Sequence, residues 1–171
     1  MKLLCLFACL LFTSASCGSD TSADQPAQAT TTTVILVRHA EKEDGDDPEL
    51  TAAGRERAAR LASLLADSTL TAVYSTDTRR TRATAGPSAE NSQLEIQVYD
   101  PNELSGLADR VRKRHAGGTV LIVGHSNTTP ALANQFTGSG QLSPFSEDDY
   151  GNILVVTIPG NGTPRLEERR Y

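Results

Sequence analysis

The sequence predicts an α/β domain, a three-layer sandwich with a mostly parallel central sheet and helices on both faces. Three observations carry this. Val34-Ile35-Leu36-Val37 and Val120-Leu121-Ile122-Val123 are unbroken apolar, mostly β-branched runs, as expected of strands buried on both faces. Strand patterns alternate with helical ones along the chain, which implies parallel strands joined by helical crossovers. Once a leader and a tether are set aside, about 140 residues remain, enough for one domain and too few for two.

The leader comes first. Lys2 precedes the apolar run Leu3 to Phe12, and small residues lead to Cys17. This is the pattern of a secretory signal, with an apolar run too short to span a bilayer as a helix. Ser14-Ala15-Ser16 before Cys17 resembles a bacterial lipobox, with Ser14 where a leucine is usual. The resemblance implies that Cys17 is acylated and becomes the mature N-terminus. The protein is then exported and lipid-anchored in the cell envelope, on the periplasmic or outer face. All three cysteines lie in the first 17 residues, so the domain has neither a disulfide nor a thiolate metal site. Residues 18 to 33, rich in Gly, Ser, Thr, Ala and Gln, read as a flexible tether, and residues 34–171 as the domain.

After the first strand, Glu41 to Glu49 holds six acids and one lysine, with Gly45 and Pro48. This is a loop, either a cation site or a lid, or more simply a solvated surface, which is the reading preferred. Thr51 is placed to cap a helix whose apolar face is Ala58, Leu61, Ala62 and Leu65. Thr71 to Ser75 is the second strand. Asp77 caps a second helix that ends at Gly86-Pro87. Leu94 to Val98 alternates as an edge strand.

Tyr99 to Asn102 turns the chain into a helix facing the core with Leu104, Leu107, Ala108 and Val111. Its last turn holds three cations and His115, an end expected to face solvent. Gly117-Gly118 stops it. Thr119 to Val123 is the second fully buried strand, followed by Gly124-His125-Ser126. Pro130 suits the first turn of a helix over residues 129–136. A loop covers Gly138 to Tyr150. Ile153 to Ile158 is a fifth strand, and Arg165 to Arg170 pairs back as a short edge strand after the turn Pro159 to Gly162.

In such a sheet, ligands bind beyond the carboxyl ends of the strands. Arg38-His39 follows the first strand, Ser75 to Arg82 the second, and His125 the fourth. Arginines and histidines thus converge on one edge of a chain whose net charge is −5. That balance, with no Trp and few aromatics, argues against nucleic acid as a partner.

Arg38-His39-Ala40, the segment Ser75 to Ala85, and Gly124-His125-Ser126 resemble the three signatures of the histidine phosphatase superfamily, in order, each directly after a predicted strand. The superfamily includes phosphoglycerate mutases and small phosphohistidine phosphatases. The resemblance implies that His39 is the phosphorylated nucleophile, that Arg38, Arg80 and His125 bind the phosphoryl group, and that neither cofactor nor metal is needed. The implied substrate is a phosphorylated small molecule or protein. Arg79 and Arg82 are read as surface residues.

The sequence also departs from the family. Ala40 and Ser75-Thr76-Asp77-Thr78 replace the usual Gly and Ser-Ser-Pro-Leu, and no Glu-rich acid signature follows the third strand. Asp100 is the first candidate for the proton donor, with Glu103 and Glu41 behind it.

Other classes fit less well. In a metal hydrolase on His39, His125 and Asp100, the arginines would repel the cation. A serine hydrolase on Ser126 lacks the second glycine of the nucleophile elbow. A phosphomutase needs covering insertions that the short loops do not supply. A lipoprotein that binds a phosphorylated ligand without turnover would have little need of His39.

Overall fold

The computed structural model describes residues 30–171. Cys17, the leader and most of the tether lie outside the described residues. β1 (Thr31–Arg38), β2 (Leu70–Ser75), β3 (Ile96–Val98), β4 (Thr119–Gly124), β5 (Asn152–Pro159) and β6 (Arg165–Arg170) form one sheet in the order β3-β2-β4-β1-β5-β6. β3, β2, β4 and β1 run parallel, while β5 pairs antiparallel with β1 and β6 antiparallel with β5.

The two faces are separate cores. Leu36, Tyr74, Ile122 and Leu154 project to one side, against Leu107 and Val111 of α3 (Leu104–Arg114) and Leu132 and Phe136 of α4 (Thr128–Thr137). Val37, Val73, Leu121 and Val123 project to the other, against Leu61 of α1 (Ala52–Leu64) and Ala85 and Ala89 of α2 (Arg79–Asn91). Each fully buried Leu, Ile or Phe here contributes ~1.5–3 kcal/mol. The layering and the mostly parallel sheet are those predicted.

Four boundaries differ from expectation, each for a physical reason. β1 begins at Thr31, so residues 31–33 belong to the sheet and not to the tether; this β-branched threonine run pairs with Pro159, Ile158 and Thr157 of the long β5. The cap of α2 is Thr78, whose hydroxyl accepts the Thr81 N–H, rather than Asp77. α2 also runs through Gly86-Pro87 to Asn91. Pro87 removes one helical hydrogen bond, but Ala85 before it and Ala89 after it are buried in the core against the sheet, and this packing carries the helix through. His115 is half-buried rather than solvated: its Nε2 lies 2.9 Å from the Tyr74 hydroxyl, and its ring stands edge-on to the Tyr74 ring.

Candidate active site

The parallel register builds the site. Arg38 pairs with Gly124, and Ser75 pairs with both Val123 and Val98. His39 and His125 therefore leave adjacent strands at one level, and the His39 N–H donates to the Gly124 carbonyl at 2.9 Å. The imidazole rings stand edge-on with centroids 5.6 Å apart. Gly124 has to be glycine: a Cβ there would lie 2.8 Å from both the Thr128 and Tyr99 hydroxyls.

Hydrogen bonds set both tautomers. His39 Nδ1 lies 2.8 Å from the Ala40 carbonyl oxygen, which can only accept, so Nδ1 carries the proton and Nε2 keeps a free lone pair. For His125, Nε2 lies 2.9 Å from the Thr76 hydroxyl. Thr76 spends its own proton on Thr81, and Thr81 donates to the Thr76 and Thr78 carbonyls. The Thr76 oxygen is thus left to accept from His125 Nε2–H.

Burial, with Arg38, Arg80 and His125 adding repulsion, lowers the His39 pKa to about 3 against the pull of the Ala40 hydrogen bond. Burial, then Arg80 and Arg38, lowers that of His125 to about 4. Both rings are neutral at pH 7. The unfolded chain binds these two protons below about 6.5 and the folded chain does not, so stability rises with pH through the window from about 3 to 6.5 and levels above it. Thermal unfolding should show Tm falling as pH drops from 7 toward 4. His39→Gln should flatten that slope; an unchanged slope would mean that other groups cause it.

Arg38 is 1% exposed. Its Nη1 donates to the Ser146 carbonyl at 2.7 Å and the Asp149 carbonyl at 3.3 Å, and its Nη2 lies 3.4 Å from the Glu147 carboxylate. Its guanidinium carbon sits 4.2 Å from the centre of the Tyr150 ring, which also lies against His39 at 5.9 Å between centroids. Arg80, on the first turn of α2, lies 3.4 Å from Asp47. The Nε atoms of Arg38 and Arg80 are buried without a hydrogen-bond partner among the described residues, leaving N–H donors available to an anion. The loop over residues 41–49 is largely exposed, as expected, and Asp47 adds a contact with α2. Asp47 also accepts the Arg79 N–H, so the loop is pinned to the start of α2 beside Arg80.

Arg79 and Arg82 are on the surface as expected, paired with Glu49 and Asp77. The three acid candidates separate. Glu41 is bound through both oxygens by Arg57, which holds it ionised and rules it out as a donor. Glu103, at the start of α3, and Asp100 are both exposed. Asp100 shares a groove with His125 and Thr76, and only its Oδ1 is engaged, by Asn102. His125 faces Thr76 rather than Ser126, which leaves the serine-hydrolase arrangement without its base. Among the described residues, no group of three or more His, Cys, Asp or Glu is placed to hold a metal ion.

Sequence reasoning missed Tyr150, Thr76 and Thr84, whose hydroxyl accepts the Ala40 N–H at 2.9 Å. The available signal for Tyr150 was a tyrosine closing the acidic run Glu147-Asp148-Asp149 just before a strand.

Residues 34–101 match the family model described as histidine phosphatase superfamily (branch 1). No curated protein matches the chain in sequence. Among solved structures, a protein histidine phosphatase SixA complexed with tungstate superposes with a TM-score of 0.65 at 16% identity, covering 81% of this chain and 96% of the other. A SixA from Nakamurella multipartitia gives 0.63 at 20% identity, covering 84% and 98%. A mycobacterial glucosyl-3-phosphoglycerate phosphatase gives 0.64 at 14% identity, covering 82% and 98%. Residues 34–101 thus carry the sequence pattern of the histidine phosphatase superfamily, and the domain as a whole carries the histidine phosphatase fold.

Proposed function

We propose that this protein is a phosphatase that cleaves phosphate monoesters, or phosphohistidine, through a covalent phosphate on His39. The observation that carries this is the His39 tautomer: a buried, neutral imidazole with Nδ1–H fixed on the Ala40 carbonyl and Nε2 free, beside two arginines with unpaired N–H groups. The His39 Nε2 lone pair attacks phosphorus, the ester P–O bond breaks, and the departing oxygen takes a proton. Water then attacks the phosphohistidine, the P–N bond breaks, and inorganic phosphate leaves. Arg38 and Arg80 hold the equatorial oxygens, on which the transition-state charge is spread. His125 sits beside the same group. The positive potential comes from the arginines, so the chemistry proceeds without a metal. Tungstate in one structural neighbour fits an oxyanion seat of this kind.

The decisive experiment is rapid quenching of the enzyme with labelled substrate in the presence of a chelator. Label stable in alkali and lost in acid supports phosphohistidine. Acid-stable label on Ser126, or no turnover until a divalent metal is restored, defeats the reading.

Asp100 is proposed as the proton donor to the leaving oxygen; the Asp100 carboxylate so formed then takes the proton from the attacking water. A positioned acid is worth about 10²–10⁴-fold. Asp100→Asn should slow alkyl phosphates by that order and nitrophenyl phosphate far less, because nitrophenolate leaves unaided. Equal slowing of both would make Asp100 a structural residue, and a selective loss in Glu103→Gln instead would move the role there.

Location is proposed from the leader alone: Cys17 carries the lipid, holding the domain at a membrane surface of the cell envelope. No helix of the described residues is long and apolar enough to cross a membrane. A diacylglyceryl cysteine supplies two or more chains, sufficient for stable attachment. Cys17→Ser should move the protein out of the membrane fraction or block its maturation; unchanged partitioning refutes the anchor.

A further inference from the structure

One side of the Arg38 guanidinium is spent and the other is free. Nη1 is tied to the Ser146 and Asp149 carbonyls, at 2.7 and 3.3 Å. Nε is buried without a partner among the described residues, and Nη2 has only the 3.4 Å contact with Glu147, a side chain 87% exposed. The edge left for a phosphoryl group is therefore the one formed by Nε–H and Nη2–H. That edge meets two oxygens at once only when the fork lies in the right plane. The carbonyl bonds fix where the fork is. They constrain its plane less, because both end on the same nitrogen.

The Tyr150 ring supplies the missing constraint. The Arg38 guanidinium carbon lies over it, 4.2 Å from its centre, and the His39 imidazole leans on it at 54°, with centroids 5.9 Å apart. One ring thus lies against both the nucleophile and the arginine that must present phosphorus in line with it. The ring is itself held on either side. Before it, the Asp149 carboxylate binds Asn152 at 2.7 Å and Arg170 at 2.8 Å; after it, the Gly151 carbonyl accepts the Tyr171 N–H at 3.1 Å. At the start of the same segment, the Phe145 N–H donates to the Ser126 carbonyl, one residue from His125. None of these contacts uses the Tyr150 hydroxyl, so what the segment offers the seat is the ring face.

We infer that Tyr150 is a positioning residue for phosphoryl transfer: its ring sets the plane of the Arg38 fork relative to His39 Nε2. This rests on the phosphatase reading above and adds a residue to its machinery. A guanidinium is attracted to an aromatic face, most strongly where water is excluded, as it is at the buried Arg38. The aim of the fork matters most while phosphorus passes to His39 and charge spreads over the equatorial oxygens. The ring therefore counts for more in the transition state than in ground-state binding.

Tyr150→Phe and Tyr150→Leu, made in the full-length protein, separate the ring from the hydroxyl. Phenylalanine keeps the face and should hold kcat within about twofold. Leucine fills space without a π face and should lower kcat about tenfold, the size of one desolvated contact of this kind, with KM little changed. Vanadate affinity should fall with kcat, and affinity for inorganic phosphate by no more than about twofold. The His39 ring resonances should move in Tyr150→Leu and stay in Tyr150→Phe. Lysine at position 38 offers a point charge in place of a fork, so in an Arg38→Lys background Tyr150→Leu should weaken vanadate less than about twofold.

A kcat for Tyr150→Leu within about twofold of wild type overturns the inference and leaves the reaction standing. An equal loss in Tyr150→Phe overturns it too, by moving the effect to the hydroxyl. So does a parallel loss of phosphate and vanadate affinity with a lower Tm, which is the mark of a collapsed loop. Vanadate binding that weakens in Tyr150→Leu and not in Tyr150→Phe, in a protein that hydrolyses no phosphate ester, overturns the reaction and keeps the positioning role.

Discussion

His39→Gln is expected to abolish turnover, with a loss of about 10⁴-fold or more, and to remove the acid-labile label altogether. Glutamine retains much of the volume of the imidazole and can still donate to the Ala40 carbonyl, so the pocket keeps its shape. What disappears is the His39 Nε2 lone pair; His125, whose Nε2–H is given to Thr76, keeps a lone pair only on Nδ1, and Ser126 has no base. The variant should remain folded and should be more resistant to acid than the wild type, because the buried ring that takes up a proton on unfolding has gone. Stability measured at pH 5 therefore separates loss of chemistry from loss of fold. Residual activity within tenfold of wild type would place the nucleophile elsewhere.

Arg80→Ala is the second large effect, a fall in kcat of about 10²–10³-fold, the usual consequence of removing one preorganised donor from an oxyanion seat. Arg80 suits this test better than Arg38. Its side chain is 20% exposed and its ion pair with Asp47 is on the surface, so its removal should change Tm little. Arg38 is buried and holds two loop carbonyls, so its truncation would unseat the loop over residues 138–151 as well as the substrate. Vanadate, as a mimic of five-coordinate phosphorus, should lose affinity in Arg80→Ala in parallel with kcat; a fall in kcat with vanadate affinity unchanged would mean that Arg80 acts on something other than the transferred group.

What could be read from the sequence follows from which interactions are local. β1 and β4 are unbroken apolar runs because each is covered on both sides, and that pattern is visible without a partner. Parallel strands then require their following residues to share an edge, so Arg38, His39, Arg80, Asp100 and His125 could be gathered from strand order alone. The rest depends on contacts between distant segments. Pro87 looked like a stop because the burial of Ala89 against the sheet is not written in the helix itself. His115 looked exposed because Tyr74 lies 41 positions away. Asp47 is exposed as read, but its contacts with Arg79 and Arg80 could not be seen because they belong to α2. Tyr150 reaches Arg38 from the far end of the chain, over a loop with no regular period.

The loop that carries Tyr150 grips Arg38 largely through main-chain oxygens of residues 146 and 149. Any residue presents that oxygen, so position 146 is free to change identity while the guanidinium stays aimed, whereas Glu147 contacts Arg38 and Asp149 holds Asn152 and Arg170 through their carboxylates. At position 146 the loop is thereby uncoupled from the chemistry. Saturation of position 146 should yield many variants that retain basal turnover and differ in which leaving groups they admit. A scaffold wired in this way can acquire new substrates by drift in one loop, without first passing through an inactive intermediate.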